Sequence, residues 1–216
     1  AVMRAASYYS PVSNFQDRIA GIGYFRLIED LEKHFEEKKE TLKENLKKLM
    51  LLIFRPENLF VSVTTDEKGY LGVEGRVSTL RHLLYQTPVQ TGKIHYDLEQ
   101  KNEGFSTAGQ VQYVAVSGNY KEAGYAYTGA LRILKVILSY DYLWMNIRVK
   151  GGAYGCMSSF KRSGDSFLVS YRDPHLKNTL EVFEKTPEYL RAFTADEREM
   201  TKYIIGTISD LDVPMN

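Results

Sequence analysis

The sequence has 216 residues, of which 44% are hydrophobic, so it holds enough apolar material for one large or two small domains. Its 28 basic and 27 acidic side chains leave a net charge of +1, which excludes a strong overall field that would attract nucleic acid or an acidic membrane surface. The single cysteine, Cys156, excludes an internal disulfide and favours a reducing, cytoplasmic location. The sequence has no apolar run of the ~20 residues that span a membrane, and no export signal is expected.

The first part of the sequence is predicted to be mainly helical. Apolar residues recur every three or four positions from Leu27 to Ile53, opposite a face with charges of both signs, which is typical of one long amphipathic helix. Pro56 ends that helix, and the β-rich residues 58–65 predict one strand. A second helical period follows and ends near Tyr85.

The middle of the sequence is predicted to be a connector between two units. Between Gln86 and Gly109 the periodicity fails, and prolines and glycines accumulate among polar residues. The predicted boundaries are therefore 1–88 for a mainly helical unit, 89–103 for the connector and 104–216 for a second unit.

The second unit is predicted to combine strands with helices. Alternating residues predict a strand over 110–116, and a broad apolar face predicts a buried helix over 127–147. Two extended stretches, 153–160 and 166–171, flank a turn that contains Gly164, which predicts an antiparallel hairpin.

Two further helices are predicted from their starting signals. Asp173 can accept hydrogen bonds from free N–H groups while Pro174 occupies the first helical position. Residues 194–197 have a capping-box pattern, which predicts the start of the last helix. The order strand, helix, hairpin, helix, helix predicts an α+β fold, in which a largely antiparallel sheet is covered by helices.

The residues that commonly hold metals or act as nucleophiles form no motif. The four histidines are far apart in the sequence, and none belongs to an H-E-x-x-H or an H-x-x-E-H pattern. Cys156 has no histidine in its segment and is interpreted as a small apolar residue of a strand. No metal site is predicted in this chain.

The most unusual stretch is residues 144–155, where a predicted helix gives way to a strand at Gly151 and Gly152. Adjacent glycines allow a tight turn or a close approach of another chain. Arg148 and Tyr154 flank the turn, so it could be a plain connector, a phosphate cradle, or a platform that presents a guanidinium and a phenol to a peptide. Neither G-x-G-x-x-G nor the Walker pattern is present, which favours the connector over the phosphate cradle.

Three separated motifs in this region resemble the presequence-protease branch of the insulinase family of zinc peptidases. They are Tyr-Leu-Trp at 142–144, Ile-Arg-Val-Lys-Gly-Gly-Ala-Tyr-Gly at 147–155 and Ser-Tyr-Arg-Asp-Pro at 170–174. The likeness continues in weaker form over most of the chain, including residues 7–10, 21–24 and 58–65.

The resemblance implies a mitochondrial-processing-peptidase-like metallohydrolase architecture. Family members have four similar α+β domains in two halves, which close around a peptide. Residues 1–88 are then the end of the third domain and 104–216 the start of the fourth, and both are incomplete. Zinc is expected as a cofactor of the full-length enzyme, bound by a domain absent from this chain, and the N-terminal half of the same polypeptide is the expected partner.

The resemblance also assigns roles at the glycine turn. Tyr154 would donate to the developing oxyanion, and Arg148 would hold a backbone carbonyl of the substrate. Such preorganised contacts are typically worth a few kcal/mol of barrier. Gly151 and Gly152 would let the substrate strand approach and, with Ala153, are expected to bind it.

The expected function is that of the C-terminal portion of a zinc endopeptidase that degrades short unfolded peptides. The chain alone is expected to be inactive, because it supplies neither a metal-bound water nor a general base. One alternative is a structural or scaffolding domain of the same fold. Another, a phosphate- or nucleotide-binding domain, would need glycines between a strand and a helix, whereas here they follow a helix and precede a strand.

Overall fold

A computed structural model describes residues 1–90 and 92–212 of the chain. The described chain forms two compact units. One, here called the sheet unit, joins Ala1–Tyr24 to the chain from Tyr96 onwards, and the other, the helical unit, is Phe25–His95. None of the helices in these residues is long and apolar enough to cross a membrane.

The compact units are built from different stretches than the predicted domains. The predicted ranges 1–88, 89–103 and 104–216 follow one another along the chain, whereas the sheet unit takes residues from both ends of the described chain. The assignment of these ranges to the third and fourth domains of the family stays a prediction.

Helices make up most of both units. In chain order they are α1 Val2–Ala6, α2 Pro11–Ala20, α3 Ile22–Lys33, α4 Phe35–Ile53, α5 Glu67–Leu83, α6 Ala130–Ile137, α7 Leu176–Glu184, α8 Thr186–Ala192 and α9 Glu197–Ser209. A single 3-10 turn, Pro56–Asn58, follows α4. A π-helix, Leu138–Val149, continues directly from α6 and ends at the glycine turn.

The sheet consists of three antiparallel strands within the described residues. They are β1 Gln112–Asn119, β2 Gly155–Phe160 and β3 Asp165–Asp173, in the order β1-β3-β2. The pairing of β2 with β3 confirms the predicted hairpin. Strands and helices together confirm the predicted α+β class.

The core of the sheet unit lies where the sheet meets the π-helix and α7. Leu143 is completely buried, and Leu138 and Ile147 are each 1% exposed. Val114 of β1, Ala153 of the turn and Phe183 of α7 complete this cluster. The π-helix is therefore anchored by its apolar side chains immediately before the residues that the sequence singles out.

Arg4 holds the first residues of the chain within the sheet unit. Its guanidinium donates to the buried carboxylate of Asp17 at 2.8 Å and to that of Glu103 at 3.0 Å. A buried carboxylate needs such a charged partner, since an unpaired one would carry a large desolvation cost. The same guanidinium lies over the rings of Tyr8 and Phe105.

Two predictions for the helical unit were wrong. The helix expected from Leu27 to Ile53 is interrupted at His34, whose φ of −123° leaves the helical region and whose ring nitrogen lies 3.1 Å from the Asp30 carbonyl oxygen. The strand expected over 58–65 does not form, because a strand requires a neighbour and these residues pair with none in the described chain.

The starts of the last helices also differ from their predictions. Asp173 ends β3 instead of capping a helix, and α7 begins only at Leu176. The capping box of α9 is formed by Asp196 and Glu199, two residues beyond the predicted pair. The short helix α8 was not predicted, and the helix expected over 127–147 is divided into α6 and the π-helix.

Candidate functional site

The glycine turn is closed by the backbone of the π-helix. The Gly152 N–H donates to the Arg148 carbonyl at 3.0 Å, and the Ala153 N–H donates to the Ile147 carbonyl at 3.1 Å. Gly152 has a φ of +75°, and a Cβ at Gly151 would lie 2.5 Å from the Ile147 oxygen. Both glycines are therefore required by the turn itself.

The three residues expected to bind substrate differ in their exposure. Gly152 is exposed and Gly151 is partly exposed, whereas Ala153 is 4% exposed and packs in the core. The methyl group of Ala153 therefore stabilises the fold, and only the backbone of this segment faces solvent. Their role in substrate binding stays a prediction.

Arg148 reaches back across the turn to Tyr154. One guanidinium nitrogen, Nη1, donates to the Tyr154 backbone carbonyl. The guanidinium carbon lies 4.4 Å from the centre of the Trp144 ring and 5.6 Å from that of Tyr154. The structure thus brings the two predicted site residues together and adds Trp144, one helical turn before Arg148, as a ring beneath the guanidinium.

Tyr154 lies directly before the first residue of β2, among three other side chains. The residue is 58% exposed, and its N–H donates to the Arg172 carbonyl at 3.2 Å. The ring packs edge-to-face on Tyr171, with 5.5 Å between centres, and the Arg172 guanidinium carbon lies 5.6 Å from its centre. Its hydroxyl forms no hydrogen bond with any described residue, so it is available to a ligand.

Gly155 makes room for this arrangement. It pairs with Tyr171 across the β2–β3 ladder, and a Cβ on Gly155 would lie 2.3 Å from the Tyr171 ring. No real side chain tolerates such a separation, so the glycine lets Tyr171 lie flat against the neighbouring strand and support Tyr154.

The two guanidinium groups keep their charge uncompensated. The ion pairs within residues 1–90 and 92–212 include neither Arg148 nor Arg172. Each guanidinium has five N–H donors, of which Arg148 uses one on the Tyr154 carbonyl. The cluster of Trp144, Arg148, Tyr154, Tyr171 and Arg172, here called the arginine–tyrosine cluster, can therefore donate several hydrogen bonds to carbonyl or carboxylate oxygens.

Cys156 lies on β2, two residues after Tyr154. Burial raises the pKa of its thiol to about 11, with Arg148 lowering it and Asp173 raising it by smaller amounts. A thiol with this pKa is protonated at neutral pH and is a poor nucleophile. This agrees with the interpretation of Cys156 as an inert strand residue.

Asp173 fixes the end of β3 next to the cluster. The carboxylate is completely buried and accepts from the Ser170 hydroxyl, from the Thr179 hydroxyl at 2.7 Å and from the His175 N–H at 2.8 Å. These bonds tie the strand to α7 and immobilise the residue that follows Arg172.

A zinc ion does not fit the residues that the structure describes. Across the described ranges, no three histidine, cysteine, aspartate or glutamate side chains are grouped closely enough to hold a metal ion. The polar residues of the cluster are arginines and tyrosines, which are donors and not ligands for zinc.

Sequence reasoning missed three members of the cluster. Trp144 could have been found, because it lies four residues before Arg148, a spacing at which side chains meet if the helix predicted to end at residue 147 continues by one residue. Tyr171 and Arg172 lie in the third motif, but their contact with Tyr154 could not be predicted from it, since that contact depends on the register of the hairpin.

The chain is similar to known proteins over most of its length. The family model described as "PreP C-terminal domain" matches residues 102–216. The chain is 44% identical to Protein HypA of Clostridium perfringens over 216 residues, which is 100% of this chain and 22% of that protein. It is 33% identical to Presequence protease 1, chloroplastic/mitochondrial, of Arabidopsis thaliana over 199 residues, which is 91% of this chain and 18% of that protein.

A more distant relative gives the same result. The mitochondrial presequence protease of Emericella nidulans is 25% identical over 213 residues, which is 93% of this chain and 20% of that protein. The chain thus spans about a fifth of the length of these relatives. The matches confirm the resemblance that the three sequence motifs predict.

Proposed function

The chain belongs to the PreP C-terminal domain family, and from this membership we propose that it is the non-catalytic C-terminal portion of a zinc-dependent endopeptidase that degrades short unfolded peptides. In this proposal its arginine–tyrosine cluster binds the substrate and stabilises the oxyanion. The partners are the peptide and the N-terminal half of the same polypeptide.

The observation that carries the proposal is the pairing of Arg148 with Tyr154. The Arg148 guanidinium donates a hydrogen bond to the Tyr154 carbonyl and lies over the Trp144 ring, so its position is fixed before any ligand binds. The Tyr154 hydroxyl has no bond to a described residue. Fixed donors of this kind stabilise developing charge because they need not reorganise during the reaction.

Each residue has a separate part in this mechanism. The Tyr154 phenol donates to the carbonyl oxygen of the scissile bond as that oxygen gains negative charge. The remaining N–H groups of Arg148 hold a neighbouring backbone carbonyl, which orients the peptide. Both groups act on oxygen atoms of the peptide backbone, so they suit substrates of varied sequence.

Zinc belongs to a part of the enzyme outside this chain. When bound there, it would supply the activated water for hydrolysis. The residues described here offer no site for it, and the chain by itself is proposed to be inactive.

A scaffolding domain of the same fold is the second candidate. The turn requires Gly151 and Gly152, and Arg148 donates a hydrogen bond to a backbone carbonyl of this chain. These contacts would be present in a domain that serves assembly alone. The two candidates differ in whether the free phenol of Tyr154 affects catalysis.

The test is peptide hydrolysis by the full-length polypeptide that contains these residues. Arg148→Ala and Tyr154→Phe are each expected to lower kcat by roughly ten-fold or more with bound zinc unchanged, the first through lost orientation of the peptide and the second through loss of an oxyanion donor. Arg162→Ala is the matched control, because Arg162 also lies over a tyrosine ring, at 5.7 Å from the centre of Tyr127. Unchanged kcat in both site variants would favour the scaffolding domain.

A further inference from the structure

Arg172 has an unusual backbone conformation. Its φ is +49°, and within the described chain no other residue except glycine has a positive φ. Most residues with a Cβ avoid this left-handed region, whereas glycine adopts it readily and asparagine tolerates it better than other residues do. Arg172 therefore occupies a position at which a different residue would be less strained.

The strain coincides with an irregularity in the sheet. Gln112 pairs with Asp173, and Val114 pairs with Ser170. One residue of β1 between these pairs therefore lies opposite two residues of β3. The extra residue of this bulge lies at Tyr171 or Arg172. Bulges redirect side chains and are frequent beside functional sites.

The bulge brings two parts of Arg172 to Tyr154. The Arg172 carbonyl accepts from the Tyr154 N–H at 3.2 Å, and its guanidinium carbon lies 5.6 Å from the ring centre. Any residue could supply the carbonyl, including glycine. The guanidinium is the part that requires arginine in spite of the strain.

We propose that Arg172 is a positioning residue for the phenol of Tyr154. Its guanidinium lies over the exposed ring of Tyr154, which also contacts Arg148 and Tyr171. Two cations and one aromatic edge therefore restrain the ring. A restrained ring keeps the free hydroxyl directed toward the oxygen of the substrate. This inference rests on the proposed function, because it gives Arg172 a role only if the phenol takes part in catalysis.

The test separates the guanidinium from the backbone. Arg172→Asn and Arg172→Gly remove the guanidinium and relieve the strained φ, so neither variant is expected to lower the melting temperature of the protein. In the full-length polypeptide, both are expected to lower kcat for peptide hydrolysis roughly three- to five-fold with KM unchanged, the rate equivalent of one exposed cation–π contact. Arg172→Lys keeps the charge and should restore part of the loss.

A double-mutant cycle shows whether Arg172 acts through the phenol. In a Tyr154→Phe background, Arg172→Asn is expected to cause no further loss of kcat, because no hydroxyl remains to be positioned. A loss of the same size in both backgrounds would overturn the proposal, since a structural role lowers kcat in either. Arg162→Asn serves as the control for loss of a cation over a tyrosine elsewhere in the unit.

The failure of this inference can be told from the failure of the proposed function. If Tyr154→Phe and Arg148→Ala lower kcat but Arg172→Asn does not, only the role of Arg172 is overturned. If Tyr154→Phe leaves kcat unchanged, the oxyanion role and the positioning role are both overturned.

Discussion

The two compact units bury their apolar side chains to very different extents. In the sheet unit, Leu138, Leu143 and Ile147 are 1%, 0% and 1% exposed. In the helical unit, α4 and α5 contain no buried residue, and Leu49 and Leu52 are 49% and 47% exposed. Both regions have helical periodicity in the sequence, so the pattern indicates which face is apolar but not whether the unit covers that face.

The difference in apolar burial affects how much each unit contributes to the stability of the chain. Stability comes mainly from apolar area removed from water, at about 25 cal/mol per Å². The sheet unit removes such area within its own core, whereas the apolar face of α4 remains exposed. Exposed apolar patches of this kind usually mark a contact with more protein.

Truncation of a core leucine should give the largest contrast. Leu143→Ala is expected to lower the free energy of unfolding by about 2–5 kcal/mol, whereas Leu49→Ala should change it by less than about 0.5 kcal/mol. Denaturant unfolding of the 216-residue chain measures both. Equal losses would mean that Leu49 is buried in solution, for instance by self-association.

A methyl group added beside Tyr171 should give the next largest effect. Gly155→Ala places a Cβ 2.3 Å from that ring and is expected to destabilise the sheet unit by about 1–3 kcal/mol. Gly118→Ala is the matched control, because Gly118 lies in the same sheet and its Cβ would have no atom within 4 Å.

The clash with Tyr171 can be isolated by removing its ring. Adding Tyr171→Ala to Gly155→Ala should cost less than the sum of the two single changes, since the truncated side chain leaves space for the new methyl. Strict additivity would mean that Gly155 is needed for its backbone and not for its space.

The pH dependence of stability provides a smaller effect within the sheet unit. The pKa of the Cys156 thiol is raised by burial from 9.0 to about 11, so the folded chain holds this proton more tightly than the unfolded chain. The stability that this difference contributes is fully present below the pKa of the unfolded thiol. It is lost as the pH rises toward the pKa of the folded thiol. The loss should be on the order of 1 kcal/mol, because the thiol is only partly buried.

Cys156→Ala tests this assignment. The variant should show a shallower fall in unfolding free energy over the same alkaline range, measured by denaturant titration at a series of pH values. An unchanged slope would assign the fall to the tyrosines with raised pKa values, such as Tyr142 and Tyr189.

The smallest effect is expected in the helical unit, and it has the opposite sign. Gly75 lies inside α5, and a Cβ there would meet no atom within 4 Å. Gly75→Ala should therefore stabilise the chain by about 0.5–1 kcal/mol, because alanine loses less backbone entropy in a helix. Thermal unfolding followed by circular dichroism measures the gain, and a loss would show that this face of α5 is covered.

Local patterns predicted the elements that depend on local interactions. The β2–β3 hairpin follows from its turn residues, and the end of α5 near Tyr85 follows from periodicity. The strand expected over 58–65 was wrong because pairing is not a local property. Two overlapping capping patterns start at Thr194 and Asp196, and the carboxylate of Asp196 forms the box.

The site was predictable in part. The motif at 147–155 predicted Arg148 and Tyr154 as site residues, and the two are in contact in the structure, while their catalytic roles stay a prediction. The contact of Arg172 with Tyr154 needed the hairpin register and a bulge, and neither can be inferred from residue types. The π-helix was unpredictable for a similar reason, since its wide turns are selected by the packing of Leu138, Leu143 and Ile147 in the core.

The π-helix limits how the length of the segment before the site can change in evolution. Its apolar side chains are fixed in the core, and Arg148 is aimed at Tyr154 from the last turn. Deleting one residue between Leu138 and Leu143 would rotate all following residues around the helix axis and move Arg148 away from Tyr154. Related chains should therefore tolerate many substitutions in this segment but keep its length constant, with insertions and deletions displaced to the hairpin turn at Gly164.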